Sequence, residues 1–244
     1  MTPTQAGWSV GVVIPARNEA RTITACLNSV LEALDRRQLS LNASWVVVVA
    51  DFCHDATATL ARAALGNRGR VIECKLSSAG AARQFGAGEV LTHFAATPRS
   101  QLWIANTDAD TCVSRSWLER QLSLANHGYC GVAGIVRIRR APGLDRKTLQ
   151  TLLADYTIHA DGTHPHVHGA NLGVRADAYI DAGCWSRLAL AEDHCLWSRV
   201  NARGWPTAAC ARTIVHTSGR LRGRAAGGFA DSLRRRLETA ACTA

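Results

Sequence analysis

The sequence predicts an α/β protein, with a mostly parallel central sheet and helices on both of its faces. Short continuous apolar runs recur at residues 10–14, 45–50 and 101–105, each of strand length. Between them lie segments whose apolar residues return at helical spacing. The alternation of strand and helix then repeats along the first half, as parallel strands require, because each parallel pair needs a crossover connection.

The elements follow in order. Residues 10–14 form a β-branched run closed by Pro15, a buried strand. Asn18 is placed to cap a helix over 19–34, with Ile23, Leu27, Val30, Leu31 and Leu34 on one face. Residues 45–50 give a second strand, 56–65 a helix, 70–76 a third strand, 80–91 a helix and 101–105 a fourth strand. The second half is less regular. It predicts a helix at 116–125, a strand at 131–139, a helix at 149–161, a strand-like stretch at 168–174, and a helix over 191–203 ended by Gly204. No internal repeat and no Pro/Gly/Ser-rich linker divides the chain, so a single domain is expected over 8–230, with a basic tail at 219–244.

The 244 residues are 47% hydrophobic and 19% charged, enough for a large core. No apolar run approaches the roughly 18–20 residues that cross a bilayer. The first nine residues lack the basic-then-apolar pattern of a secretory signal. The expectation is a cytoplasmic protein, at most peripheral at the inner face of a membrane. Nine scattered cysteines without a CxxC pair argue for reduced, mostly core thiols. The net charge of +9 calls for an anionic partner: nucleic acid, anionic lipid or a phosphorylated substrate. Arg220, Arg222, Arg224 and Arg234 to Arg236 carry much of it near the end. They lack the interleaved aromatics of a nucleic-acid groove, so no nucleic-acid partner is expected. A diphosphate or a membrane face fits them equally. Phe229, Leu233 and Leu237 would line one side of a short tail helix, which packs on the protein or lies on anionic lipid.

Ligands of open parallel sheets bind at the carboxyl ends of the strands. Three polar clusters fall there, at 15–19, 51–55 and 106–110. Asp108 and Asp110 end the fourth strand, where a turn lets both approach one hard cation. The plainer alternative is an acidic loop. Asp51 can accept hydrogen bonds from a nucleobase, whereas Asp55 is better placed to cap the next helix. Glu192 and Asp193 open the 191–203 helix, where a carboxylate facing a substrate is a candidate general base. Acidic residues in a first helical turn also simply favour the helix dipole. His164, His166 and His168 alternate like zinc ligands, but Pro165 interrupts them and no second ligand set accompanies them, so a structural or acceptor-side role is preferred. Gly169-Ala170-Asn171 is a small, polar wall that a substrate can approach closely.

Taken in order, the segments VVIPARNE (12–19), VVVVADFCHDAT (46–57), GAARQFGA (80–87), NTDADT (106–111), HGANLGVRADAYIDAGCW (168–185) and AEDHCLWSRV (191–200) resemble the inverting glycosyltransferases of family 2. The resemblance implies the GT-A fold, Rossmann-like and nucleotide-binding, with a donor lobe near 8–111 and an acceptor lobe near 112–218. It makes Pro15, Ala16, Arg17 and Glu19 the nucleoside loop, Asp51 the base reader, and Arg83 and Asp108 donor contacts. Asp110 becomes the direct metal ligand for Mn²⁺ or Mg²⁺, joined by His216, with Arg220 holding the diphosphate under a mobile loop whose glycines are Gly223, Gly227 and Gly228. Gly169, Ala170, Asn171 and Glu192 fall on the acceptor side, and Asp193 is the expected catalytic base. The implied partners are a nucleotide-diphosphate sugar and a small-molecule, lipid or peptide acceptor. Two departures matter. The second motif reads ADFCHDAT where many members have DDGSxDxT, and no QxxRW-type segment of processive synthases is present. Transfer of a single sugar fits better than polymer synthesis. A GT-A nucleotidyltransferase would show a Gly-rich loop with Arg and Lys after the first strand, which 15–19 lacks. A non-catalytic scaffold would have no use for Asp108, Asp110 and Asp193 together.

Overall fold

A computed structural model of the chain describes residues 7–36, 43–140, 156–188 and 190–220. The first four strands are β1 (Ser9–Ala16), β2 (Ser44–Asp51), β3 (Gly69–Cys74) and β4 (Leu102–Asn106). The helices between them are α1 (Ile23–Arg36), α2 (Thr57–Leu65) and α3 (Ala79–His93). β3, β2, β1 and β4 lie side by side in that order, all parallel.

The pleat sorts their side chains onto two faces. Val10, Val12, Ile14, Val46 and Val48 pack with Ile23, Leu27, Val30 and Leu34 of α1 and with Leu118 and Leu122 of α4 (Trp117–Asn126). Val13, Val47 and Val49 face the opposite way, onto Ala82, Ala87 and Val90 of α3. α3 presses close because Gly86 carries no side chain, and a Cβ there would lie 2.6 Å from a Val13 methyl. Both faces of the sheet are thus covered, which is why its strands are apolar without alternation.

The second half changes direction. β5 (Thr111–Val113), β6 (Gly131–Arg140), β7 (Leu172–Arg175) and β8 (Thr207–Ser218) complete an eight-stranded sheet in the order β3-β2-β1-β4-β7-β6-β8-β5. β7 runs antiparallel to both β4 and β6, β6 and β8 are parallel, and β5 is antiparallel to β8. α5 (Ala176–Asp181) and α6 (Glu192–Ala202) lie in this half. β5 is four places from β4 in the sheet, about 19 Å in a flat one. Only Thr107 to Asp110 connect the two, a span of about 17 Å even if fully extended. Thr111 N–H in fact turns back to Asp108 O at 3.0 Å. The sheet must therefore curl, bringing β8 and β5 round to the carboxyl end of β4.

Several expectations need correction. Asn18 does not cap α1. It takes φ +54°, its Oδ1 accepts the His54 N–H at 2.8 Å, and the helix begins at Ile23. The side chain is drawn to the neighbouring loop instead. Of the expected helix at 149–161, residues 149–155 lie outside the described part, and 156–161 are extended and then turn. The stretch at 168–174 is split by a 3-10 turn, Gly169–Asn171, before β7. β5, α5 and β8 were not expected at all. Of the described cysteines, all free, only Cys26 and Cys130 are buried, the rest being half-buried. Residues 221–244, with most of the basic tail and its mobile-loop glycines, lie outside the described residues. Among the described residues no helix is long and apolar enough to cross a membrane.

Candidate active site

The carboxyl ends of β1, β2 and β4 present the three expected clusters on one rim. After β1, the buried Glu19 is anchored by its N–H on Thr57 Oγ1 at 2.7 Å. Ala16 O accepts from Cys53 Sγ at 3.5 Å, and Arg17 lies over the Phe52 ring at 5.6 Å, so the 15–19 loop and the 51–55 loop are one unit. Asp55 Oδ1 accepts the Thr57 N–H at 3.0 Å, a turn just before α2 whose cap position is Ala56, so Asp55 stands one residue outside the expected cap. Asp51 is buried at the end of β2, and its Oδ1 accepts the N–H groups of Leu76 and Ser77 at 2.6 and 3.1 Å. One oxygen of that carboxylate is thus occupied by the loop after β3.

The turn after β4 carries the acidic pair. Asp108 Oδ1 accepts from Arg83 Nη2 at 2.5 Å, and Arg83 Nη1 reaches Glu192 Oε1 at the start of α6. Arg83 is only 3% exposed, and its Cζ lies 5.4 Å from the centre of the Trp185 ring. Burial alone would lower its pKa, but the charges of Asp108 and Glu192 outweigh that and raise it. Burial pushes the Glu192 carboxyl up, while Arg83 opposes.

Asp110 lies on the other side of this turn. Its Oδ1 is 3.4 Å from both Thr111 Oγ1 and Thr217 Oγ1, and its backbone O accepts the Ser218 N–H at 3.2 Å. Arg220, just beyond β8, bridges Glu19 Oε1 at 2.5 Å and Asp110 Oδ2 at 3.4 Å. Burial raises the Asp110 pKa to about 6, with Arg220 opposing and the charges of Asp108 and Glu19 adding. His216 stands in register with Cys112 of β5 and Arg137 of β6, one residue before the threonine that meets Asp110. Among the described residues no three His, Cys, Asp or Glu side chains are grouped to hold a metal ion.

Asp193 follows Glu192 in the first turn of α6. Its Oδ2 accepts the Gly169 N–H at 2.9 Å and its Oδ1 accepts its neighbour's, His194, at 2.8 Å. It forms no ion pair among the described residues. Gly169 thus ties the turn at Gly169–Asn171 to this carboxylate. Asn171 does not face the opening. It is fully buried, its Oδ1 accepts from Trp117 Nε1 at 2.9 Å, and its Nδ2 donates to Ile135 O and Thr213 O, both at 2.9 Å. Its amide braces β6, β8 and α4 behind the wall. His166 and His168 stack with Tyr156, and His168 Nε2 meets the Tyr156 hydroxyl at 3.1 Å. Burial lowers the His168 pKa to about 4, so its ring is neutral near pH 7, and burial lowers that of His166 as well. Sequence reasoning missed Trp185 and Thr217. Trp185 stood in the quoted 168–185 segment, but nothing local marked its partner.

These features match known proteins. The family description "Glycosyl transferase family 2" fits residues 11–182. The chain is 31% identical over 173 residues to an undecaprenyl-phosphate 4-deoxy-4-formamido-L-arabinose transferase of Aeromonas hydrophila subsp. hydrophila, covering 71% of this chain and 50% of that one. It thus spans about half the length of that curated relative. Among solved structures, mannosyltransferase PcManGT from Pyrobaculum calidifontis, in complex with GDP-Man and Mn²⁺, superposes with a TM-score of 0.64 at 18% identity, over 97% of this chain and 63% of that one. TarS 1-349 of S. aureus, in complex with UDP-GlcNAc, gives 0.63 at 13% identity, over 91% of this chain and 61% of its own. At such identity these two speak for the fold, which is GT-A. With a match running from β1 through α5, the chain belongs to glycosyl transferase family 2.

Proposed function

We propose that the chain transfers one sugar from a nucleotide-diphosphate sugar to an acceptor hydroxyl, with inversion at the anomeric carbon. One observation carries the reading: Arg83 links Asp108, at the end of the nucleotide-binding strands, to Glu192, the neighbour of Asp193. Donor-side and acceptor-side carboxylates thereby share one site. Asp193 takes the proton of the acceptor hydroxyl. The acceptor oxygen forms its bond to the anomeric carbon as the bond from that carbon to the diphosphate breaks, the electron pair leaving with the phosphate. A base held by N–H groups, and not by a guanidinium, keeps an oxygen lone pair for that proton. The 15–19 loop and Asp51 hold the nucleoside.

A divalent cation fits the chemistry of the acidic pair. Asp110 and Asp108 offer hard oxygen ligands, and a cation would offset the upward push on Asp110, which comes first from burial and then, against Arg220, from the charges of Asp108 and Glu19. Asp110 is the direct ligand and Asp108 the ribose or water-mediated contact. When bound, the ion neutralises charge on the departing diphosphate. Arg220 lies on Asp110 and is the candidate diphosphate ligand, and His216 is the further residue that would join the metal shell. The named ligands of the two solved relatives, UDP-GlcNAc with TarS and GDP-Man with Mn²⁺ in PcManGT, support the donor class and the metal. The name of the Aeromonas relative favours a lipid acceptor among the three classes.

The test is a thermal-shift screen of UDP-, GDP- and dTDP-sugars with Mn²⁺, followed by proton NMR of the product formed from the stabilising donor with a polyprenol or a polyprenyl phosphate as acceptor. A β-linked product from an α-linked donor is expected. An α-linked product would overturn inversion, and a screen without any stabilising nucleotide sugar would overturn the donor class.

A further inference from the structure

Arg83 is in the wrong place to serve only as a donor contact. It projects from α3 yet is almost wholly enclosed, and both terminal nitrogens are committed to protein carboxylates. A third element closes on it. Gly169 packs so tightly against the guanidinium that a Cβ at that position would lie 2.6 Å from Arg83 Cζ. Trp185 lies along the cation as well, within range of a cation–π contact.

Asp193 is set by two neighbours. One is Glu192, its predecessor in α6; the other is Gly169, whose N–H it accepts. Glu192 rests on Arg83 by an ion pair, and Gly169 rests on it by contact. The third partner, Asp108, is the acidic residue on the donor side. A guanidinium is a planar fork with fixed angles between its N–H groups, so its two carboxylates cannot shift relative to each other without losing a bond. Lysine has a single charged point and no such constraint.

We infer that Arg83 is a positioning residue, which sets the distance and orientation between the donor carboxylate Asp108 and the base Asp193 through Glu192 and Gly169, and does not itself bind the diphosphate. The inference rests on the transfer reading above. Its chemical content is geometric: a displacement of the order of 1 Å between nucleophile and reacting carbon costs about 100-fold in rate, while the binding of either substrate alone is left nearly intact.

The experiment is Arg83→Lys in the full chain, with transfer rates and nucleoside-diphosphate affinity (UDP and GDP, by calorimetry) measured on protein whose fold is checked by circular dichroism. The expected result is a fall in kcat of about 10- to 100-fold with a Kd within about threefold of wild type. A purely structural role would reduce the folded fraction and leave kcat per folded molecule unchanged, which overturns the inference. A Kd that worsens in step with the lost activity makes Arg83 a donor contact and overturns it equally. Should Arg83→Lys fail to fold, Trp185→Phe reaches the same guanidinium from a residue outside the chemistry, and its kcat and Kd are judged by the same split. A wild-type chain inert with every nucleotide sugar would overturn the transfer reading, and this inference with it.

Discussion

Two groups of carboxylates face each other across the site, and they are held differently. Beyond β1 and β4, Glu19 and Asp110 share Arg220, and Asp108 sits on Arg83. At the start of α6, Glu192 also sits on Arg83, but Asp193 is held by two backbone N–H groups and by no ion pair among the described residues. A cation lowers the proton affinity of the carboxylate it touches and takes up its lone pairs. An amide donor orients the group and leaves part of it open. The contrast is one of partners: Glu19, Asp108, Asp110 and Glu192 pair with arginines, while Asp193 meets backbone N–H groups.

The most severe way to break this comparison is Asp193→Asn. The amide keeps the shape and loses the basic oxygen, so kcat should fall by about 100- to 10,000-fold with nucleotide affinity unchanged. Calorimetry beside a transfer assay decides it, and turnover near wild type would return Asp193 to the role of a helix-start residue. Asp110→Ala comes next. It should abolish the advantage that Mn²⁺ gives to nucleoside-diphosphate binding, about tenfold or more, and titrations identical with and without Mn²⁺ in the wild type would remove the metal from the proposal. Arg220→Gln should raise the donor KM by about three- to tenfold. It should also lower stability by about 1–3 kcal/mol, since the buried Glu19 loses its charged partner. A thermal melt checks the second part. The mildest is Asp55→Ala, which sharpens the comparison from the other side. Asp55 is also held by backbone N–H groups, of Ala20 and Thr57, yet only to join two loops ahead of α2. Its loss should cost about 1 kcal/mol in a denaturant titration and leave kcat unaltered.

The two halves of the molecule were unequally legible. β1, β2 and β4 declared themselves because both faces of the sheet are covered, which makes each strand a continuous apolar run. β8 is longer than any of them, but most of its residues are only half-buried, and it has no such signature. α5 is six residues long, too short for a periodic pattern. The turn at Gly169–Asn171 was mistaken for strand because its residues are buried like strand residues. In the site, the convergence of the clusters at 15–19, 51–55 and 106–110 followed from the rule that parallel sheets bind at their carboxyl ends, while Asp193 was placed by the resemblance. The Arg83 junction did not. Its partners stand 25 and 109 residues away, and a planar cation shared between them leaves no trace in local spacing. Asn171 misled for a similar reason: a polar residue beside glycine suits an open wall, but here the amide is spent on three partners behind it.

The bridge from Arg220 to Glu19 joins positions 201 residues apart. Glu19 and Asp110 lie beyond the ends of two different strands, β1 and β4, and the cation they share comes from beyond the end of β8. A chain cut before β8 would keep both acids and lose the arginine that joins them. The charge of this corner is therefore a property of the whole chain and of neither half alone.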